Sequence, residues 1–316
     1  MGNSASKILS NGTEIRADLI EEADVDITQM YTRIPKNFDH KKPFDFVLYF
    51  HGDGGHPKSI IKNKTLGKKI DAAANAILVS PTFGIGKEAS GNGSKPKHWQ
   101  GEPQLILVFI KKLAAAKNWS LQSLLDNFQL SIYGFSAGGG SMTQYFVNTD
   151  LGLRHYEDLN GDPDDSTLIL PKLKHIQFND GVYRNSSLPG AETGKWDTAA
   201  VAAIKYILTL NADTSIYFYY RDVNGSTKKA AKYMKAKLQN VQSFSIKPFN
   251  GSHSKAMGFL ETSTFLTQQD VESAGMPANA PQPDKPPPPP APEEPVGSGS
   301  RVYPKVIILP LKQEEI

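Results

Sequence analysis

The chain has 316 residues, 35 Lys and Arg against 32 Asp and Glu, 39% hydrophobic residues and no cysteine. That apolar content suffices for a sizeable core and excludes an ordinary disordered chain, and the lack of Cys excludes disulfide and thiol chemistry. A formal net charge of +3 is no nucleic-acid footprint, and no apolar run reaches the roughly 18 residues of a membrane-spanning helix.

The opening, MGNSASKILSNGTEI, lacks the apolar region of a signal peptide, so a cytoplasmic protein with a flexible stretch over 1–12 is expected. It also matches M-G-x-x-x-[ST], the pattern for myristoylation of Gly2 in a eukaryotic setting, where one acyl chain anchors only marginally. Thr28–Ile34 (TQMYTRI) reads as an antiparallel strand ending at Pro35. Phe44–Phe50 (FDFVLYF) is a buried strand by its aromatic and β-branched content, and Ala76–Val79 is another. Gln104–Ala116 has helical length, with Asn118 as its stop. Then follow a strand at Phe128–Tyr133, a helix at Gly138–Asn148, a strand at His175–Phe178 and a helix at Thr198–Leu210. The series ends with a strand at Ser215–Tyr220, a basic amphipathic helix at Thr227–Leu238 and a strand at Val241–Lys247. Such alternation predicts an α/β domain over 13–270, a mostly parallel sheet covered by helices on both faces.

Ten of the 22 prolines fall between Pro277 and Pro295. With GSGS at Gly297–Ser300 they make 271–300 a linker of polyproline type. Beyond it, 301–316 carries the apolar run Val306–Leu309, suited to pairing as an edge strand or to docking on a protein partner.

The sharpest motif is Gly134-Phe135-Ser136-Ala137-Gly138, lying between a predicted strand and a predicted helix. It fits G-x-S-x-G in the context the motif requires. A serine on so tight a turn needs very small neighbours at minus two and plus two, and the turn lifts its Oγ over the sheet. The helix start behind it favours developing negative charge. A dinucleotide or phosphate loop is the competing reading of the glycines, but G-x-G-x-x-G and G-K-[ST] are absent.

A serine nucleophile needs a base. Of the seven His, only His155, His175 and His253 follow Ser136. His155 lies in a polar insertion, and His175 opens a strand at the far end of the sheet. His253, in a loop just after the last strand, is the candidate base. The orienting acid is Asp222, after the fifth strand of the alternation, or Asp180, after the fourth; Asp222 is marginally preferred. Two amides should form an oxyanion hole: that of Ala137, and one from the loop His51-Gly52-Asp53-Gly54-Gly55, with Asp53 first and Gly54 second. His51 fixes that loop through hydrogen bonds. His51, Phe135 and Trp99 are candidate substrate contacts, Trp99 from a Gly-rich lid or surface loop over 83–102.

The run TRIPKNFDHKKPFDFVLYFHGDGG, then YGFSAGGG, then SHS, resembles the α/β-hydrolase superfamily over about residues 28–260. Within it, the chain is similar to the feruloyl-esterase, acetyl-xylan-esterase and polyhydroxybutyrate-depolymerase group. The resemblance implies a serine esterase without cofactor, with Ser136, His253 and Asp222 or Asp180 as the matching triad. Its substrate would be a small-molecule, carbohydrate or lipid ester. A different reading is a catalytically idle hydrolase fold that serves as a binding module through its Pro-rich tail. Asp158–Asp162 resembles the start of a calcium loop, but Pro163 and Ile169 stand where Gly and Glu are needed, so no metal is expected.

Overall fold

A computed structural model describes residues 6–19, 29–52, 55–81, 105–148, 172–183, 196–223 and 225–273. By its contacts the chain divides into Met1–Met276 and Pro277–Ile316, and all described residues lie in the first unit. The linker and tail expected over 271–316, apart from residues 271–273, lie outside them, as do Asp53, Gly54 and the 83–102 loop with Trp99.

The strands are β1 (Ser6–Ile8), β2 (Glu14–Leu19), β3 (Gln29–Ile34), β4 (Phe44–Phe50), β5 (Ala76–Pro81), β6 (Phe128–Phe135), β7 (Leu173–Asn179), β8 (Ser215–Arg221) and β9 (Phe244–Phe249). They form one sheet in the order β1-β2-β3-β5-β4-β6-β7-β8-β9. The first three pair antiparallel, as β3 does with β5, and from β5 to β9 every pairing is parallel. The helices among the described residues are α1 (Pro57–Ile61), α2 (Lys64–Ala72), α3 (Leu105–Lys117), α4 (Leu121–Asn127), α5 (Ala137–Asn148), α6 (Trp196–Leu210), α7 (Ser226–Lys237) and α8 (Gln268–Ser273).

Every residue of β4 is buried, because both faces of the sheet are covered. Its side chains alternate between two cores. Phe44, Phe46, Leu48 and Phe50 join Phe109 and Ile110 of α3, Met142 of α5, Ile204 of α6 and Met234 of α7. Val47 and Tyr49 point the other way, toward Ile60 and Ile61 of α1, Leu66 and Ile70 of α2, and Ala256, Leu260 and Phe265.

Those last three residues belong to a strap, 253–267, that crosses the second face with little regular structure beyond a 3-10 turn at His253–Gly258. Backbone without a ladder still needs hydrogen-bond partners when buried. Strand side chains supply them. Tyr49 Oη donates to Met257 O at 2.8 Å, Asn179 Nδ2 to Phe259 O at 2.9 Å and Tyr133 Oη to Glu261 O at 3.0 Å. The Glu261 amide donates to Gln177 Oε1 at 3.0 Å, and the Leu266 amide to Asp45 Oδ2 at 3.0 Å. Polar residues inside apolar strands thus form a row of sockets for the strap.

Asp45 is fully buried in this row, and Gln129 donates to its other oxygen. Burial pushes its carboxyl from 3.8 up to about 7, against the lowering effect of its two hydrogen bonds. Between those pH values the folded chain holds a proton that the unfolded chain has lost. Stability therefore falls as pH rises across that window, by an amount on the order of a few kcal/mol. Denaturant unfolding of the native chain and Asp45→Asn through that range should show the falling component in the first and not in the second. Asp71, Asp180 and Glu261 have lowered values, so their contributions have the opposite sign and are lost as pH falls.

Two expectations need correction. Residues 6–8, assigned to a flexible start, pair with Glu14–Arg16 as an edge strand, because Asn11 and Gly12 turn the chain into a hairpin. Gly12 has φ of 81°, and Asn11 Oδ1 accepts from the Thr13 amide at 3.0 Å. The last strand begins at Phe244, not Val241: the Val241 amide bonds Leu238 O, closing a turn after α7. As the edge strand, β9 accommodates Pro248.

Candidate active site

Ser136 stands between β6 and α5 with φ of 54°, a conformation that costs a non-glycine residue roughly 1–2 kcal/mol. The surroundings hold it there. Its amide donates to Asn179 O at 3.1 Å, and its carbonyl accepts from the Gly139 amide at 2.9 Å. The glycines are a packing requirement. A Cβ at Gly138 would meet Phe50 O at 2.4 Å, one at Gly139 would meet Gly181 O at 2.2 Å, and one at Gly52 would meet Ser136 Cβ at 2.8 Å. The elbow is therefore wedged between the loop after β4 and the loop after β7.

Asp180, directly after β7, also has positive φ, 50°. Its amide donates to Tyr219 O at 2.7 Å, and its Oδ1 accepts from the Arg221 amide at 3.1 Å. Oδ2 lies 2.6 Å from His253 Nδ1. The carboxyl is 1% exposed and the imidazole 36%. Burial alone would raise the acid's pKa. Hydrogen bonds from His253, the Arg221 amide and Thr227 outweigh it and hold the group below the usual carboxylate range. The carboxylate is thus ionised at neutral pH, facing the ring nitrogen it orients.

Asp222, the preferred acid on sequence grounds, is elsewhere. It is 42% exposed and paired with Lys228 Nζ at 2.7 Å, on the first turn of α7. Its side chain turns outward, whereas Asp180 sits one strand nearer Ser136.

His253 opens the 3-10 turn of the strap, and the Phe135 ring packs on its imidazole with centroids 4.8 Å apart. Phe135, expected as a substrate contact, is 6% exposed and braces the histidine. His51 is also buried, with Nδ1 2.9 Å from Gly52 O, and Gly55 donates to the same carbonyl at 3.1 Å. These bonds fix the described part of the 51–55 loop beside Ser136. Ala137 is buried at the first position of α5. His175 is buried in mid-strand, where burial lowers it to about 4 and keeps it neutral. It supports Gln177 in the socket row, at 3.2 Å.

One contact was missed. Tyr183 Oη lies 3.2 Å from Ser136 Oγ. Nothing in the local sequence marks it beyond its place three residues after Asp180.

No family model and no curated protein matches the chain. Solved structures do. An S-formylglutathione hydrolase from Agrobacterium tumefaciens aligns with TM-score 0.53 at 12% identity, over 82% of this chain and 95% of that one. A ferulic acid esterase aligns with TM-score 0.51 at 13% identity, over 81% of this chain and 95% of its own.

Proposed function

We propose that this chain, which has the α/β-hydrolase fold, is a serine hydrolase that cleaves a small-molecule carboxylic ester through an acyl-enzyme on Ser136. The observation that carries the reading is the 2.6 Å bond from His253 Nδ1 to a buried, ionised Asp180, beside a serine held at positive φ. Such a bond orients the imidazole with its second nitrogen available as a base and stabilises the cation it becomes. The hydrolase and esterase named above support it.

In this mechanism His253 takes the Ser136 proton while Oγ attacks the ester carbonyl. The amide of Ala137, and a second from the 51–55 loop, receive the charge that develops on the carbonyl oxygen. The imidazolium then protonates the departing alcohol. Water attacks the acyl-enzyme with His253 again as base, and Ser136 Oγ recovers its proton. Asp180 remains ionised throughout.

The test is labelling with a fluorophosphonate probe. The native chain should label, and Ser136→Ala and His253→Ala should not. Turnover of acetyl, short acyl and feruloyl esters by the native chain then ranks substrates. A native chain that neither labels nor turns over any ester sinks the proposal.

A further inference from the structure

We propose that Tyr183 is a further catalytic residue: its phenol donates a hydrogen bond to Ser136 Oγ and stabilises charge on that oxygen when it attacks and again when it leaves. This rests on the acyl-enzyme reading and adds to it a donor acting on the nucleophile rather than on the substrate.

The contact follows from how the two loops interlock. Gly181 lies against the elbow, where a Cβ would come within 3.0 Å of Gly134 O, Gly139 Cα and Ser136 O. Val182 is buried beyond it. The chain leaving Asp180 is thus pressed onto the nucleophile turn, and Tyr183 Oη arrives 3.2 Å from Oγ. Asp180 and Tyr183 lie on one short loop, so it carries both the acid behind the base and a hydroxyl at the nucleophile.

The direction of the bond follows from acid strength. A phenol is a far stronger acid than an alkyl alcohol, so between these hydroxyls Tyr183 donates. Burial pushes its pKa up to about 12, with Ser136 lowering it and the Asp180 charge raising it, and the phenol keeps its proton at neutral pH. A serine hydroxyl has one proton and two lone pairs. Accepting from Tyr183 occupies a lone pair and leaves the proton for His253.

During acylation, Oγ gives its proton to His253, and its electron pair forms the bond to the carbonyl carbon. During deacylation, the C–Oγ bond breaks, Oγ keeps that pair and regains a proton from His253. Negative charge builds on Oγ in both steps. A donor already 3.2 Å away strengthens as that charge builds. Tyr183 keeps its own proton throughout.

Tyr183→Phe tests this with an activated ester, resolving the acylation burst from deacylation and scaling both to the fraction that fluorophosphonate titrates. Each step should slow about 10- to 100-fold, the worth of one hydrogen bond to a charged group, with little change in KM. A fluorotyrosine at 183, which is more acidic, should retain activity at neutral pH. It should lose activity above the pKa of its own phenol, an alkaline limb that moves with the degree of fluorination. A structural role would move neither the chemical steps separately from KM nor that limb. Both steps within about threefold of native in a titratable Tyr183→Phe chain would overturn the proposal. If that variant does not fold, an alkaline limb unmoved by fluorination overturns it. A native chain that does not label removes the hydrolase reading, and this one with it.

Discussion

Replacing Asp180 by Asn is expected to slow ester turnover about 10,000-fold, while Asp222→Asn leaves it within about twofold. Asp180→Asn is a clean test because Asn is among the few residues at ease at φ of 50°, so the loop after β7 keeps its course. What changes is the atom facing His253 Nδ1. An amide nitrogen there would have to face an N–H, and the ring turns over its tautomer or loses its orientation. Asp222 has only an exposed ion pair to Lys228 to lose, and such pairs contribute little. Steady-state kinetics of both variants, scaled to probe-titrated sites, separates the two carboxylates directly. Equal losses in both would mean that the bond at 2.6 Å does not orient the base.

The second large effect is steric. Gly139→Ala should destabilise the fold by about 3 kcal/mol or more and abolish probe labelling in whatever remains folded. Its Cβ would sit 2.2 Å from Gly181 O and 2.6 Å from Gly181 C, and both are backbone atoms that no rotamer change can clear. The elbow and the acid loop must separate, which breaks the Ser136 amide bond to Asn179 and displaces Tyr183 along with Asp180. Gly225→Ala is the control. Among the described residues its Cβ would meet only Val223 O, at 3.9 Å, and its φ of −176° is ordinary extended backbone. Urea midpoints of the two variants against the native chain measure the contrast.

Local rules made much of this legible from the residues. Phe44–Phe50 reads as a strand covered on both sides because its seven residues carry no solvent-facing alternation, and the structure buries them all. The G-x-S-x-G turn is recognisable because its reason is local: no other residues fit at Gly134 and Gly138. Which carboxylate meets His253 was not legible. Asp180 and Asp222 each follow a strand, and the difference lies in which strand neighbours β6 and in a backbone φ, neither of which is written locally. The strap escaped for a related reason. His175, Gln177 and Asn179 line one face of β7 with buried polar side chains, which marks something polar to be held there. The partners of Gln177 and Asn179, at Glu261 and Phe259, are some 80 residues away in sequence. The hairpin did carry a local signal, in the Asn11-Gly12 pair and in the alternation of Ile15, Ala17 and Leu19 with Arg16 and Asp18, but the strand it pairs with, Ser6–Ile8, is too short to show a period of its own.

The strap has a consequence for the order of events in the cell. On a translating ribosome, Ser136, Asp180 and Tyr183 emerge well before His253 does. Until residues 253–267 follow and seat themselves on Tyr49, Tyr133, Gln177 and Asn179, the nascent sheet lacks the residue that the proposed mechanism uses to draw the Ser136 proton. On that mechanism the chain stays chemically silent until this strap docks.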